Sequence, residues 1–143
     1  MSRSGYHEDC DDPLIIGRYR GRVASAVRGK RGQAFLKEAL AALDAMPEKR
    51  LIIDALEAEP TGLPFAPRQD VCLLGAVGRA RQLDMSKLDP HCPERVAGAF
   101  NIAEVLAREI TWENDENWYG RETPEQRWVR MRKWVASQIK DGT

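Results

Sequence analysis

Apolar residues recur along most of the chain at the three- and four-residue spacing that is typical of helices. Asp12 and Pro13 form an N-cap followed by proline at the first helical position, and the first apolar stripe runs from there to Gly29. This stripe consists of Ile15, Ile16, Tyr19, Val23, Ala26 and Val27. The segment RGQAFLKEALAALDAM carries a second stripe and ends before Pro47. Two helices are therefore predicted before residue 47.

The middle of the chain is less regular. LIIDAL, residues 51–56, is too short to distinguish a helix from a strand, and we favour a helix. PTGLPFAPRQD, residues 60–70, contains three prolines and a glycine and predicts a surface loop. VCLLGAVGRARQL, which follows, predicts a buried helix.

Three further helices are predicted in the second half. Asp89, Pro90, Pro93 and Glu94 are typical of a helix start and lead into RVAGAF; past Asn101 a second helix covers IAEVLAREITWEND. Thr123 and Gln126 form a capping box that begins the last helix. Its apolar stripe consists of Trp128, Met131, Val135 and Ile139.

These elements predict a mainly α fold in one domain, 12–143, preceded by a flexible acidic tail, 1–11. We expect a bundle of five to six short helices with a helix-turn-helix-like corner and room for one short β-hairpin. No internal repeat is present in the sequence.

Composition narrows the functional classes. The 143 residues include 22 basic and 22 acidic side chains, a balance that excludes a polycationic nucleic-acid chaperone and an acidic mimic of DNA. No apolar run reaches the length of a membrane span, and the start of the chain is polar and acidic, unlike a secretory signal. The three cysteines show no disulfide spacing. The expected location is the cytoplasm.

The segment RVAGAFNIAEVLAREI resembles the helix-turn-helix of bacterial regulators, with Asn101 at the position that needs a left-handed backbone. Val96, Ala97, Phe100, Ile102, Ala107 and Ile110 would point inward. Residues 103–119, however, carry five acids and only one cation, Arg108, and would repel phosphate. The corner is thus a plain structural turn, a protein contact or, less readily, a DNA contact.

Residues 14–37 show the opposite imbalance, with seven cations and no acid. Their arginines and lysines predict either phosphate binding or a solvated face that pairs with acids elsewhere. The candidate nucleic-acid-binding residues are Arg18, Arg20, Arg22, Arg28, Lys30 and Arg31. GKRG, residues 29–32, lacks the spacing of a nucleotide-binding P-loop.

The acidic stretch 104–116 and a C-terminal helix rich in arginine favour self-association, as a homodimer, or a charged protein partner. All four tryptophans lie in the last third, and tryptophan, tyrosine and arginine often anchor interfaces. The candidate protein-binding residues are Trp118, Tyr119, Arg130, Arg132, Glu113 and Asp115. Core packing of the tryptophans is the alternative interpretation.

Residues for catalysis are few. Cys72 lies in an apolar segment and predicts a buried, inert thiol, even with His91 as a candidate base. His7, Cys10, His91 and Cys92 have poor spacing for zinc, and Glu113, Asp115 and Glu116 lack the order of a calcium loop. We therefore expect no enzymatic activity, no cofactor and no metal.

Six segments together resemble a family of short proteins encoded by tailed bacteriophages and prophages: MSRSGY, AVRGKRGQAFLKE, LDAMPEKRLI, VCLLGAVGRAR, LAREITWENDE and RWVRMRKWV. The family tends to have a short glycine-containing turn where this chain has PTGLPFAPRQD. The resemblance implies the bacterial cytoplasm and a non-enzymatic accessory protein. Such a protein would bind a host or phage protein as a regulator or inhibitor, including inhibition of host defence. A nucleic-acid-binding regulator is the alternative.

Overall fold

The computed structural model describes residues 3–4, 13–58, 70–116 and 121–140. These residues contain six helices, α1 (Pro13–Arg28), α2 (Lys30–Ala45), α3 (Leu73–Ala80), α4 (Pro93–Phe100), α5 (Glu104–Asp115) and α6 (Pro124–Gln138). The prediction of a mainly α bundle of five to six short helices is confirmed. None of these helices is long and apolar enough to cross a membrane.

Helix α5 is the centre of the bundle, since it contacts α1, α3, α4 and α6. The second apolar stripe predicted from the sequence lies on α2 and faces the interior of the bundle, where Phe35, Leu36, Ala39 and Leu43 are buried. Buried apolar side chains from all six helices form one continuous core. This single core provides most of the favourable free energy of folding.

The turn between α1 and α2 is held by close packing. A Cβ atom at Gly32 would collide with the carbonyl oxygen of Ala26, so only glycine fits at this crossing. The Gln33 side chain donates to the Val27 carbonyl at 2.7 Å and to the Gln138 carbonyl at 3.0 Å. The turn is thereby fixed to the end of α6.

Residues 51–56 are not helical, and the helix favoured for LIIDAL is wrong. Their backbone groups bond to distant parts of the chain: Ile52 N–H donates to the Val71 carbonyl at 2.9 Å, and the Asn114 side chain donates to the Ile52 carbonyl at 2.8 Å. Asp54 adopts a left-handed backbone, φ 66°. A single antiparallel bridge, Glu57 to Val71, is the β-pairing found in the described residues. The proline-rich stretch, 59–69, lies outside them.

The predicted corner between α4 and α5 is confirmed. Asn101 has φ 57° and ψ 49°, the left-handed conformation that the sequence requires there. The side chains expected to point inward are all buried, namely Val96, Ala97, Phe100, Ile102, Ala107 and Ile110.

The capping box of α6 is also confirmed. Thr123 accepts from the Gln126 amide at 3.1 Å, and Gln126 accepts from the Thr123 amide at 2.9 Å. Met131 and Val135 are fully buried, and Trp128 and Trp134 pack against the core. Core packing is therefore the correct interpretation for these two tryptophans.

The first turn of α1 departs from its predicted stripe. Leu14, Ile15 and Ile16 have exposed fractions of 73%, 54% and 43%. Only Val23 and Val27 of α1 are buried. The helix therefore packs on the core through its second half, and the prediction that Ile15 and Ile16 face inward is wrong.

Candidate nucleic-acid interface

Most arginines in the described part of the chain have a carboxylate partner. Ion pairs are formed by Arg3, Arg20, Arg50, Arg79, Arg81, Arg108, Arg127, Arg130 and Arg132. The exceptions are Arg18, Arg22, Arg28, Arg31, Arg95 and Arg121, and four of these six lie on α1 and at the start of α2. Unpaired arginines are thus concentrated in one region.

We define the cationic surface as Arg18, Arg22, Arg28, Lys30 and Arg31, all of which are exposed. Arg18 and Arg22 are one helical turn apart on α1, and Arg28 ends the helix about 15 Å from Arg18. Arg31 donates to the Asn101 side chain at 3.5 Å, a long contact that leaves most of its donors available. The surface therefore extends from the middle of α1 to the turn before α2.

Helix α2 begins at this turn without a side-chain cap. Its N-cap residue is Gly29, whose backbone is extended. The first amides of α2 and the positive end of the helix dipole therefore add partial positive charge beside Lys30 and Arg31. This contribution has the same sign as the side chains of the cationic surface.

Arg20 belongs to the predicted set but not to the cationic surface. Its guanidinium makes two hydrogen bonds of 2.8 Å to the carboxylate of Glu109 on α5. The Glu109 side chain is only 4% exposed, whereas that of Arg20 is 53% exposed. Arg20 therefore neutralises a buried acid and ties α1 to the central helix.

Three of the acids of α5, Glu109, Glu113 and Asp115, are buried, whereas Glu104 is exposed. Protein binding by Glu113 and Asp115 stays a prediction, and their burial does not favour it. Charged residues are rarely buried unless they are paired, which is why sequence reasoning placed them outside. One signal was available: Glu109 and Glu113 continue the helical spacing of the buried residues Leu106 and Ile110.

Arg3 and Ser4 explain the burial at the end of α5. Arg3 Nη2 donates to Asp115 at 2.8 Å, and Ser4 Oγ donates to Glu116 at 2.6 Å. Both residues are buried. The other nine residues of the predicted tail lie outside the described residues, so the flexible tail stays a prediction. Burial by itself lowers the pKa of Arg3, but the neighbouring Cys72 and Asp115 outweigh it and raise the pKa above its ordinary value.

Arg130 and Arg132, predicted to contact a protein partner, have internal partners. Arg130 donates to the Glu122 carboxylate at 2.6 Å and to the Glu113 carbonyl at 2.6 Å. Arg132 donates to Asp44 of α2 at 2.6 Å, and this hydrogen bond lowers the pKa of Asp44 below its ordinary value. Trp118 and Tyr119 lie outside the described residues. Protein binding by this set stays a prediction.

The corner of α4 and α5 does not supply a DNA-reading helix. Eight of the twelve residues of α5 are buried. The strip left partly open carries Glu104 and Arg108, which pair with each other at 3.0 Å. A recognition helix has to place a free face in the major groove, so this burial favours the structural interpretation of the corner over DNA reading. A protein contact through the corner stays a prediction.

The remaining chemical candidates are not assembled into a site. Cys72 is buried and accepts from the Gly75 amide at 3.4 Å, while His91 is exposed. His7 and Cys10 lie outside the described residues, and the residues that the structure describes hold no group of three potential metal ligands. A groove of about 200 Å³ between α2 and α3 has mainly apolar walls, and Arg50 on its rim already pairs with Asp70 at 2.7 Å.

Comparisons with protein-family models, with curated proteins and with solved structures find no match. The resemblance to proteins of tailed bacteriophages therefore stays a prediction from the sequence.

Proposed function

We propose that the protein is a non-enzymatic regulator that binds nucleic acid through the cationic surface. The observation that supports this is the absence of a carboxylate partner for Arg18, Arg22, Arg28, Lys30 and Arg31 within the described residues. Guanidinium and ammonium groups that lack internal partners are available to phosphate, and their binding releases the counterions condensed on nucleic acid.

The zero net charge does not oppose this function. Glu109, Glu113 and Asp115 are buried and lie against Arg20, Arg130 and Arg3, so their charge is compensated inside the fold. The cationic surface keeps its charge facing water. A local positive field of this kind attracts a polyanion even in a neutral protein.

Binding can be measured by fluorescence anisotropy with labelled nucleic acid across a salt series. Four or five phosphate contacts give a slope of about −3.6 to −4.5 for log Kobs against log salt. The triple variant Arg18→Gln, Arg22→Gln, Arg31→Gln is expected to bind at least about tenfold more weakly and to flatten that slope by about 2.7. Circular dichroism would verify that the variant is folded.

Arg95→Gln is the matched control. Arg95 is an exposed arginine without an ion pair in the described structure, but it lies on α4 outside the cationic surface. The same loss of charge at this position is expected to leave the affinity nearly unchanged. The salt slope should change by less than about 0.9, the value for one phosphate contact. Equal effects of Arg95→Gln and Arg18→Gln would contradict a localised interface.

A second candidate function, binding of a host or phage protein, is favoured by the exposed first turn of α1. Leu14, Ile15 and Ile16 form the largest group of exposed apolar side chains in the described part of the chain. We expect the tagged protein to retain one discrete partner from nuclease-treated bacterial lysate in a pull-down. The double variant Leu14→Ser, Ile15→Ser is expected to lose this binding. Val129→Ser, at an isolated exposed position on α6, is the control that retains the partner.

A further inference from the structure

We infer that the nucleic acid is double-stranded and is held by its phosphates, without regard to base sequence. This inference rests on the proposed function and specifies its ligand. Three properties of the cationic surface lead to it: the fixed backbone positions of the residues that carry its charges, the burial of the aromatic side chains in the described residues, and the side chains between the arginines on α1.

The charges are carried by a rigid support. Val23 and Val27 anchor α1 in the core, the Arg20–Glu109 pair joins it to α5, and Gln33 fixes the turn before α2. From Arg18 to Arg28 the support is about 15 Å long, which spans roughly four 3.4 Å axial steps of a duplex strand. A duplex presents its phosphates at regular positions, whereas a single strand would have to lose conformational freedom to match them.

Proteins that hold single strands combine cations with aromatic rings on which the bases stack. In the described part of the chain every aromatic side chain is buried or half-buried. Tyr19, the aromatic residue of α1, packs against the core, and Phe35 and Phe100 pack edge to face at 6.2 Å inside it. The cationic surface therefore has charge for phosphates but no stacking platform among the described residues.

The exposed face of α1 is poorly equipped to distinguish bases. Between and beside the arginines it carries Gly17, Gly21 and Ser25, and the helix contains no asparagine or glutamine, the residues that read adenine. Arginine can also read guanine, so the only strong base contact that this face offers is the one that the arginines would make instead of binding phosphate. Arginine and lysine contacts to phosphate position a protein on a duplex but carry no sequence information. The affinity is therefore expected to be similar for duplexes of different sequence.

The test uses the full chain and four labelled probes of equal length, two unrelated DNA duplexes and one strand of each. Anisotropy titrations at low salt are expected to give duplex affinities within about twofold of each other. A mismatched base typically costs a base-reading protein 1–3 kcal/mol, or about five- to 150-fold. We expect the single strands to bind at least about fivefold more weakly, because the described residues of the cationic surface offer their bases no aromatic ring to stack on and because a flexible strand must be ordered on binding.

The outcomes separate the inference from the function on which it rests. Equal or tighter binding of single strands would overturn the duplex assignment, and a strong preference for one duplex would overturn sequence independence. Neither result would contradict the proposed function, nucleic-acid binding. No binding of any probe at low salt would overturn the proposed function itself. Arg22→Gln should weaken both duplexes by the same factor, and unequal losses would indicate base reading.

Discussion

Two charged stretches of this chain differ in their exposure to solvent. The cations of α1 and the start of α2 are exposed, and among them only Arg20 has a carboxylate partner in the described structure, while Glu109, Glu113 and Asp115 of α5 are buried. Both stretches look solvated in the sequence, because one charge sign dominates each of them. The difference is position: α5 is the central helix, so the acids on its inner side are buried, whereas only Val23 and Val27 of α1 are buried.

The buried acids determine which cations are left for function. Each of them lies against an arginine from another part of the chain: Arg20 from α1, Arg130 from α6 and Arg3 from the start of the protein. A buried carboxylate without a partner is costly, so these arginines are committed to the fold. The arginines that have no such task are the better candidates for an external ligand.

The largest effect is expected from removing a buried acid. Asp115→Ala leaves Arg3 as a buried charge without its carboxylate partner and removes one of the two acceptors of the Asn114 side chain, which donates to Asp115 at 2.8 Å. The free energy of unfolding is expected to fall by about 3–5 kcal/mol, as measured by urea denaturation followed by circular dichroism. Reduced binding of nucleic acid by a fully stable Asp115→Ala protein would contradict the division between structural and functional charges.

Glu104→Ala provides the control for that measurement. Glu104 lies on the same helix and forms an i,i+4 pair with Arg108, but both side chains are substantially exposed. Its removal is expected to cost about 0.5 kcal/mol or less. Comparable losses at Glu104 and Asp115 would mean that burial does not distinguish the two acids.

A smaller effect is expected at the support of the cationic surface. Gly32→Ala places a Cβ atom against the Ala26 carbonyl oxygen, so α1 and α2 have to move apart. We expect a loss of about 1–3 kcal/mol by urea denaturation, together with weaker duplex binding because the cations on the two sides of the turn are displaced. Unchanged stability would show that the turn tolerates rearrangement and that the rigid-support argument is wrong.

The sequence predicted those parts of the fold that depend on local signals. The Thr123 capping box, the left-handed Asn101 and the end of α2 before Pro47 each involve residues within a few positions of one another. The six helices follow from these signals and from apolar spacing. Such features need no knowledge of distant contacts.

What the sequence could not predict depends on partners far along the chain. LIIDAL is not helical because Asn114 and Val71 bond to the backbone of Ile52, and Arg3 is buried because Asp115 is its partner. The sequence likewise predicted the candidate site only in part. Charge patterning selected six cations, but only the fold separates Arg20, which is paired internally, from the other five.

The open face of α1 predicts a gain in stability. A Cβ atom at Gly21 would meet nothing within 4 Å, so alanine fits there without strain. Gly21→Ala is expected to raise the free energy of unfolding by about 0.5–1 kcal/mol, because alanine has the higher helix propensity and restricts the unfolded chain. Destabilisation in the urea experiment would indicate that this face of α1 is covered.

The smallest effect concerns an exposed ion pair and its dependence on pH. Arg81 makes two hydrogen bonds to Glu38, at 2.6 and 2.7 Å, and these lower the pKa of Glu38 below its ordinary value despite partial burial. Because the folded pKa is the lower one, the stabilisation is present above the ordinary glutamate pKa and is lost as the pH falls through the folded pKa. At neutral pH, Glu38→Gln should therefore cost less than about 1 kcal/mol, since the pair is largely exposed. The difference between wild type and variant should disappear in acid, when Glu38 is protonated. A difference that persists at low pH would mean that Glu38 stabilises the fold through packing and not through its charge. Glu38 would then be a structural residue, like the buried acids of α5.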